Sequence, residues 1–353
     1  MNALSLFSGC GGDTLGMSLA GVNVKWYVEL KKDFQKSHEL NFNESELLGS
    51  DITKIPDETF SKLKGKVDII FAGFPCQSFS HGGKKNPDDP RGQLFIEFVR
   101  AVRLIEPKFI IGENVKGLLS RKTKKGENFF DIILESFLEI GYVCDYKVLK
   151  SDDFGVPQKR ERLLIVGTPG GFQTRFQPKT YIGERPSLEN ILHFDMCGAL
   201  KVPKELLEEA EVPEDAILTG NSDDDVTQII HPYLKLKAGE RGITYNDKYI
   251  SEYSFSYEKR KSPVHCEIVN KSKPSKTIIC TYDHQPRLFV PLLTQNGDYF
   301  LRPYTIDELK EIQGFPRDYQ LYGSLKNQIV QLGNAVPPPI IRAVVQWLAE
   351  QKV

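Results

Sequence analysis

The chain has 353 residues, 40% of them hydrophobic and 26% charged, with 46 Lys and Arg against 47 Asp and Glu for a formal net charge of -1. That length suits one large domain plus a smaller one, with a core that needs no disulfide or metal staple. The charge balance excludes a basic surface over the whole molecule but not a local basic cleft, and no apolar run approaches the ~20 residues of a membrane span.

Residues 3–7 read as an opening strand and 13–20 as a helix; 24–28 is the next strand and 32–40 the next helix. The apolar runs 67–72 and 108–111 predict buried strands, with a helix over 93–105 between them. An amphipathic helix over 129–140 and strands over 142–149 and 162–167 complete the set. This alternation predicts an α/β fold built on a doubly wound, mostly parallel sheet. After Thr168-Pro-Gly-Gly171 the character changes. Residues from about 172 to 300 are rich in Pro, Gly and Tyr, carry the acidic patch Asp223 to Asp225, and predict a smaller irregular domain. Helical patterning returns over 305–313, where Thr305 caps and Glu308 completes a capping box. A last helix over 338–351 follows a proline run, and its apolar face is expected to return to the first domain.

The six cysteines, Cys10, Cys76, Cys144, Cys197, Cys266 and Cys280, show neither metal-ligand spacing nor a disulfide framework. No metal is expected. With no basic-then-apolar leader before the first strand, an intracellular, cytoplasmic setting is expected.

Three constellations carry chemistry. Phe7, Ser8, Gly9, Cys10, Gly11 and Gly12 follow a strand and open a helix, so their glycines allow a tight turn and close approach to a ligand. Glu29 ends the second strand at the spacing where an acid grips a ribose hydroxyl, a pattern that would equally describe a dinucleotide site. Cys10 reads as a small residue filling the turn. Pro75 and Cys76 follow a buried strand, and proline stiffens the backbone that holds the thiol. Glu113 and Asn114 follow the next apolar run, so a nucleophile and an acid stand at two strand tips, where α/β folds place ligands. Gln158, Arg160 and Arg162 alternate and are expected on one face of a strand. Residues 78–92 lack an apolar pattern and suggest a lid. Lys84, Lys85, Lys122, Lys124, Lys125, Lys271, Lys273 and Lys276 are candidate phosphate contacts, each read first as a solvated charge.

In order, the blocks Leu6 to Gly12, Gly73 to Gln77, Glu113 to Val115, Pro157 to Arg162, Arg302 to Pro316 and Gln331 to Val336 resemble the DNA (cytosine-5) methyltransferase family nearly end to end. The resemblance implies a class I S-adenosylmethionine-dependent methyltransferase fold. The catalytic and cofactor-binding domain would be 1–171 plus 325–353, and the target-recognition domain 172–324. It implies a Cys76 nucleophile adding to cytosine C6, and Glu113 assisting at N3 and N4. Arg162 would reach O2 and Arg160 would orient Glu113. The cofactor it implies is S-adenosylmethionine, which would leave as S-adenosylhomocysteine. Its site would comprise Phe7, Ser8, Gly9, Gly11 and Gly12, with Glu29 on the ribose and Asp51 on the adenine amino group. Ile52 would pack on the ring, Leu30 stands where relatives carry a stacking aromatic, and Gly73, Pro75, Leu94, Asn334 and Val336 complete the pocket. Expected contacts to duplex DNA are Gln77, Ser80, His81, Arg91, Asn114, Gln158, Thr277, Ile278 and Arg287. His81 reads as solvated rather than as a base. A monomer is expected, acting on a short sequence with base flipping and with a cognate restriction endonuclease working separately. The rivals are a transfer-RNA methyltransferase of the same family and a catalytically dead DNA-binding homologue. Phe74, where RNA-directed relatives carry a second proline, favours DNA, and the intact nucleophile and acid argue against a dead homologue.

Overall fold

The structure is a computed structural model that describes residues 1–75, 94–123, 126–201, 229–230, 267–282, 288–294 and 298–351. The first strands are β1 (Asn2–Leu6), β2 (Asn23–Val28), β3 (Glu46–Gly49), β4 (Ile69–Ala72) and β5 (Phe109–Asn114). Then come β6 (Tyr142–Lys150), the two-residue β7 (Gln158–Lys159) and β8 (Glu161–Pro169). All but β7 join one seven-stranded sheet in the order β3-β2-β1-β4-β5-β8-β6. β1 to β5 are mutually parallel, and β8 runs antiparallel to both β5 and β6. The mostly parallel doubly wound sheet is therefore as expected. Its order reverses between β1 and β4, the kind of switch point where open α/β sheets hold ligands.

β4 is buried at every residue, as a strand covered on both faces should be. One face packs on α4 (Leu94–Ile105) and α5 (Phe129–Glu139), with Phe98 and Phe137 edge to face at 5.0 Å. The opposite face packs on α1 (Gly12–Leu19) and α8 (Pro338–Ala349), so the last helix returns to the first sheet as its apolar stripe predicts. Gly16 permits this approach: a Cβ there would lie 2.5 Å from the Pro338 carbonyl oxygen. The helices α2 (Lys32–Asn41) and α3 (Asp57–Ser61) flank β3. The sequence reading missed β3 and α3. β3 is a short edge strand with one exposed and three partly buried residues, and α3 has five residues, too few to show a period.

Beyond β8 the described residues form short strands. These are β9 (Leu200–Lys201), β10 (Ile229–Ile230), β11 (Glu267–Ile268), β12 (Ser275–Lys276), β13 (Leu288–Leu293) and β14 (Tyr299–Arg302). A second sheet has the order β10-β13-β14-β9, with β11 on β13. α6 (Ile306–Ile312) carries the expected Thr305–Glu308 capping box, and α7 (Leu325–Asn334) follows. Glu308 also pairs with the fully buried Arg302 at 2.6 and 2.8 Å, so one carboxylate caps a helix and neutralises a core cation. The core of this part includes Cys10 from the turn after β1. β12 pairs in parallel with β7, which stitches the second part to the first.

Candidate active site at the carboxyl edge of the sheet

The turn after β1 is held from below and open above. Phe7 has φ +59°, Gly9 +59° and Gly11 +91°. A bulky residue in the left-handed region is strained and persists only where its surroundings fix it. A Cβ on Gly11 would lie 2.6 Å from the Phe42 ring, and one on Gly12 2.5 Å from the Val336 carbonyl oxygen. The Ser8 amide donates to Val28 O at 3.1 Å, and the Tyr319 hydroxyl to Cys10 O at 2.5 Å. Glu29 Oε2 accepts from the Gly9 amide at 2.9 Å and Oε1 from the Lys31 amide at 2.8 Å. Burial pushes the Glu29 carboxyl above its ordinary range, and these amides and Lys31 oppose the push.

Among the described residues, nothing lies within 4 Å of where a Gly9 Cβ would stand, and the buried Ser8 hydroxyl has no hydrogen-bond partner. An open glycine face beside an orphaned hydroxyl and an acid fits a polar, hydroxyl-bearing ligand such as S-adenosylmethionine. Asn334 is exposed at the end of α7, and Val336 is buried against Gly12. Leu30 is 66% exposed, free to cover a ligand by apolar contact but unable to stack as an aromatic would.

Asp51 caps a 3-10 turn, Ile52–Lys54: its Oδ1 accepts from the Thr53 amide at 3.1 Å and hydroxyl at 2.7 Å. The bond from the Thr53 hydroxyl holds the carboxyl below its usual range, although the small burial it has works the other way. The Ile52 side chain is buried in the core that Leu94 borders.

At the tip of β4, the Gly73 amide donates to Leu6 O at 3.4 Å, and a Cβ on Gly73 would lie 3.5 Å from Glu113 Oε2. Asn114 Nδ2 donates to Phe74 O at 3.1 Å, and its Oδ1 accepts from the Val115 amide at 2.8 Å. Asn114 is buried and shapes the turn rather than facing a DNA strand. Pro75 directly precedes Cys76 in the chain.

Glu113 is paired with Arg162, Nε to Oε1 at 2.8 Å, not with Arg160 as expected. The reason is local. The Arg160 amide bonds Gln158 O at 3.0 Å, so a tight turn interrupts the segment and the two-residue alternation fails between β7 and β8. Burial raises the Glu113 carboxyl above its ordinary range, opposed first by the charge of Arg162 and then by that of Arg160.

Arg160 lies 1% exposed and clamps three carbonyls: Ile278 at 3.0 Å, Gly333 at 2.9 Å and Ala335 at 3.0 Å. Gln158 is wholly buried. It donates to Gln313 Oε1 at 2.5 Å and Ile312 O at 3.2 Å, and accepts from the Ile278 amide at 2.9 Å. Gly333 packs on the 279–280 backbone so closely that a Cβ would lie 2.5 Å from the Cys280 amide nitrogen. Gln158 and Ile278, expected to meet DNA, thus sit inside this seam. Thr277 is exposed, its hydroxyl on Lys159 O at 2.7 Å. Lys271 is paired with Glu189 at 3.2 Å.

Cys76, Gln77, Ser80, His81, Lys84, Lys85 and Arg91, with the whole 78–92 segment, lie outside the described residues, as do Lys124, Lys125, Asp223 to Asp225, Cys266 and Arg287. The sequence reading passed over Asp13, a buried acid in the first turn of α1 whose Oδ2 is 2.5 Å from the Ser5 hydroxyl. Burial pushes its carboxyl up to about 7. Its signal was an acid one residue beyond a glycine turn. Among the described residues there is no His, Cys, Asp and Glu group suited to a metal, and no helix long and apolar enough to cross a membrane.

The family model for C-5 cytosine-specific DNA methylase matches residues 1–350. The Type II methyltransferase M1.HphI of Haemophilus parahaemolyticus is 32% identical over 348 residues, covering 97% of this chain and 85% of that protein. M.DdeI of Desulfomicrobium norvegicum is 30% identical over 378 residues, covering 99% and 88%. Among solved structures, the Entamoeba histolytica methyltransferase EhMeth has a TM-score of 0.64 at 18% identity, covering 99% of this chain and 97% of that one. S. pombe Dnmt2 has the same TM-score at 16% identity, covering 99% and 98%. At these identities the structural likeness speaks for the fold.

Proposed function

The chain belongs to the C-5 cytosine-specific DNA methylase family, and from that premise we propose its reaction in detail. It flips a cytosine out of duplex DNA at a short specific sequence and methylates C5 through a bond between Cys76 Sγ and cytosine C6. Cytosine C5 is a poor nucleophile, which is why a thiolate must add first. As the sulfur–C6 bond forms, Glu113 delivers a proton to N3 and receives a hydrogen bond from the N4 amino group. S-adenosylmethionine, when bound, supplies an electrophilic methyl group that C5 attacks. Loss of the C5 proton to a solvent base then expels Cys76 as the thiolate, and N3 gives its proton back to Glu113.

The observation that carries this reading is the Glu113–Arg162 pair, which stands beside the turn that Asn114 ties down, one residue short of Cys76. Burial raises the Glu113 carboxyl above its ordinary range and so favours its protonated form, while Arg162 keeps the group oriented and limits that rise. Arg162 has further donors for cytosine O2. Ser8 and Glu29 hold the ribose side of the cofactor, Asp51 its adenine amino group, and Leu30 and Leu94 flank it. The relatives' Type II names support a restriction-modification role, with a cognate endonuclease acting separately. Residues 1–171 with 325–353 form the catalytic unit. Residues 172–324 read the sequence, with Thr277 and Arg287 as base-edge candidates and Gln77, Ser80, His81 and Arg91 reaching the duplex from the segment that follows Cys76.

The test is methyl transfer from labelled S-adenosylmethionine to duplex DNA and, separately, to transfer RNA. Label in DNA C5-methylcytosine supports the reading; label confined to transfer RNA overturns it in favour of an RNA-directed enzyme.

A further inference from the structure

Arg100 lies off the buried stripe of α4, and every nitrogen of its guanidinium is used. Nη2 donates to Ile52 O at 2.8 Å, and Nη1 to Ile55 O at 3.1 Å and Asp57 Oδ1 at 2.5 Å. Nε donates to Glu97 Oε2 at 2.8 Å, and the guanidinium carbon stands 5.0 Å from the centre of the Phe60 ring. The side chain is 17% exposed.

Ile52 opens the 3-10 turn that Asp51 caps, and Ile55 follows its last residue. A turn of three residues has too few internal bonds to fix itself. Asp51 holds its amino end through Thr53. Arg100 holds both the first carbonyl of the turn and the one just beyond it. The same guanidinium is rooted in α4, which begins at Leu94, directly after the segment that carries Cys76. Two walls of the cofactor site, the Asp51 turn and the start of α4, are therefore tied by one side chain. Lysine could not do this, since its single ammonium cannot span two carbonyls and two carboxylates in a plane.

We propose that Arg100 is a positioning residue for cofactor recognition: it sets the spacing between α4 and the Asp51 turn, and so lets Asp51 select the adenine amino group. The inference rests on the reading above that places adenine at Asp51.

The test is titration calorimetry on the full chain with two probes, S-adenosylhomocysteine and its 6-oxo analogue S-inosylhomocysteine, which presents an acceptor where adenine presents an amino donor. The wild type should prefer the adenine form by about 10- to 100-fold, as expected when a carboxylate bond is replaced by a repulsion. Arg100→Met should lose most of that preference, and combining it with Asp51→Ala should do little more than Asp51→Ala alone, because both act through one contact. Arg100→Lys, which keeps the charge and helix propensity, should also lower the preference and serves if the Met variant does not fold. An unchanged preference in the variants, even with weaker binding overall, overturns the inference: the residue would then only support the fold. A wild type that binds neither probe overturns the cofactor reading itself.

Discussion

Arg162 Nε stands 2.8 Å from Glu113 Oε1, although the two residues are on neighbouring antiparallel strands whose register sets Glu113 opposite Leu164. The pair crosses the ladder diagonally, so the acid is held by a strand that is itself pinned on both sides. Its proton affinity is then a balance between burial and the charges of Arg162 first and Arg160 second.

Glu113→Gln should slow methyl transfer by ~10² to 10⁴, the usual worth of a general acid, with S-adenosylhomocysteine affinity unchanged in calorimetry. Arg162→Gln tests the balance. Arg162 favours the ionised acid, so its loss raises the Glu113 pKa further. A group that must be protonated to work then stays active to higher pH, and the alkaline limb of the pH–rate profile should move upward. A downward move would show that Arg162 acts on some other group.

Cys76→Ser should abolish turnover while DNA and S-adenosylhomocysteine binding survive, since a serine hydroxyl is hardly ionised at neutral pH. Duplex DNA carrying 5-fluorocytosine should trap a covalent adduct with the wild type alone, visible as a mass shift on the peptide containing Cys76. An adduct on any other cysteine removes the assignment.

Arg160→Met would leave the carbonyls of Ile278, Gly333 and Ala335 without their buried donor. Ala335 O keeps the Gln313 amide at 2.6 Å, so two acceptors are orphaned at ~1 to 3 kcal/mol each, and a loss of about 2 kcal/mol or more is expected in urea unfolding. The Glu113 reaction step should be less affected than stability. A rate that falls while the unfolding midpoint stays put would return Arg160 to the chemistry.

Asp13 gives a pH signature. Its carboxyl rises from the usual 3.8 to about 7 in the folded chain. The folded state therefore binds a proton that the unfolded state has released, so stability contributed below pH 4 is lost as pH climbs from about 4 to 7. The change is on the order of 4 kcal/mol from this one group. Asp13→Asn should flatten that part of a melting-temperature profile and make the chain relatively more stable at pH 8. An identical slope in wild type and variant would place the titration elsewhere.

The long apolar features were legible. β4 is a continuous hydrophobic run and β5 opens on one, and the Thr305–Glu308 cap and the return of α8 follow from local chemistry and one apolar stripe. β3 was not, because an edge strand of Glu, Leu, Leu and Gly buries too little to leave a pattern. Within the site, Glu113 and the glycine turn were readable from their places at strand ends. The partner of Glu113 was not, because alternation predicts a shared face only along an unbroken strand, and the chain bends at Arg160. Ile278 was misplaced for a related reason: an aliphatic residue beside Thr277 carries no mark of whether it turns outward or inward, and here Gln158 holds it inward.

Gly333 touches the main chain of residues 279 and 280 with no room for even a methyl group, and Arg160 binds the carbonyl just before them. Anyone grafting a new target specificity onto this scaffold therefore inherits a fixed pair of rails. Splice junctions belong outside the 275–282 stretch, after Tyr282 rather than through it, because a foreign path there would collide with α7 at Gly333. Variation in what is read and constancy in what is done can then be separated along the chain within a few residues of each other.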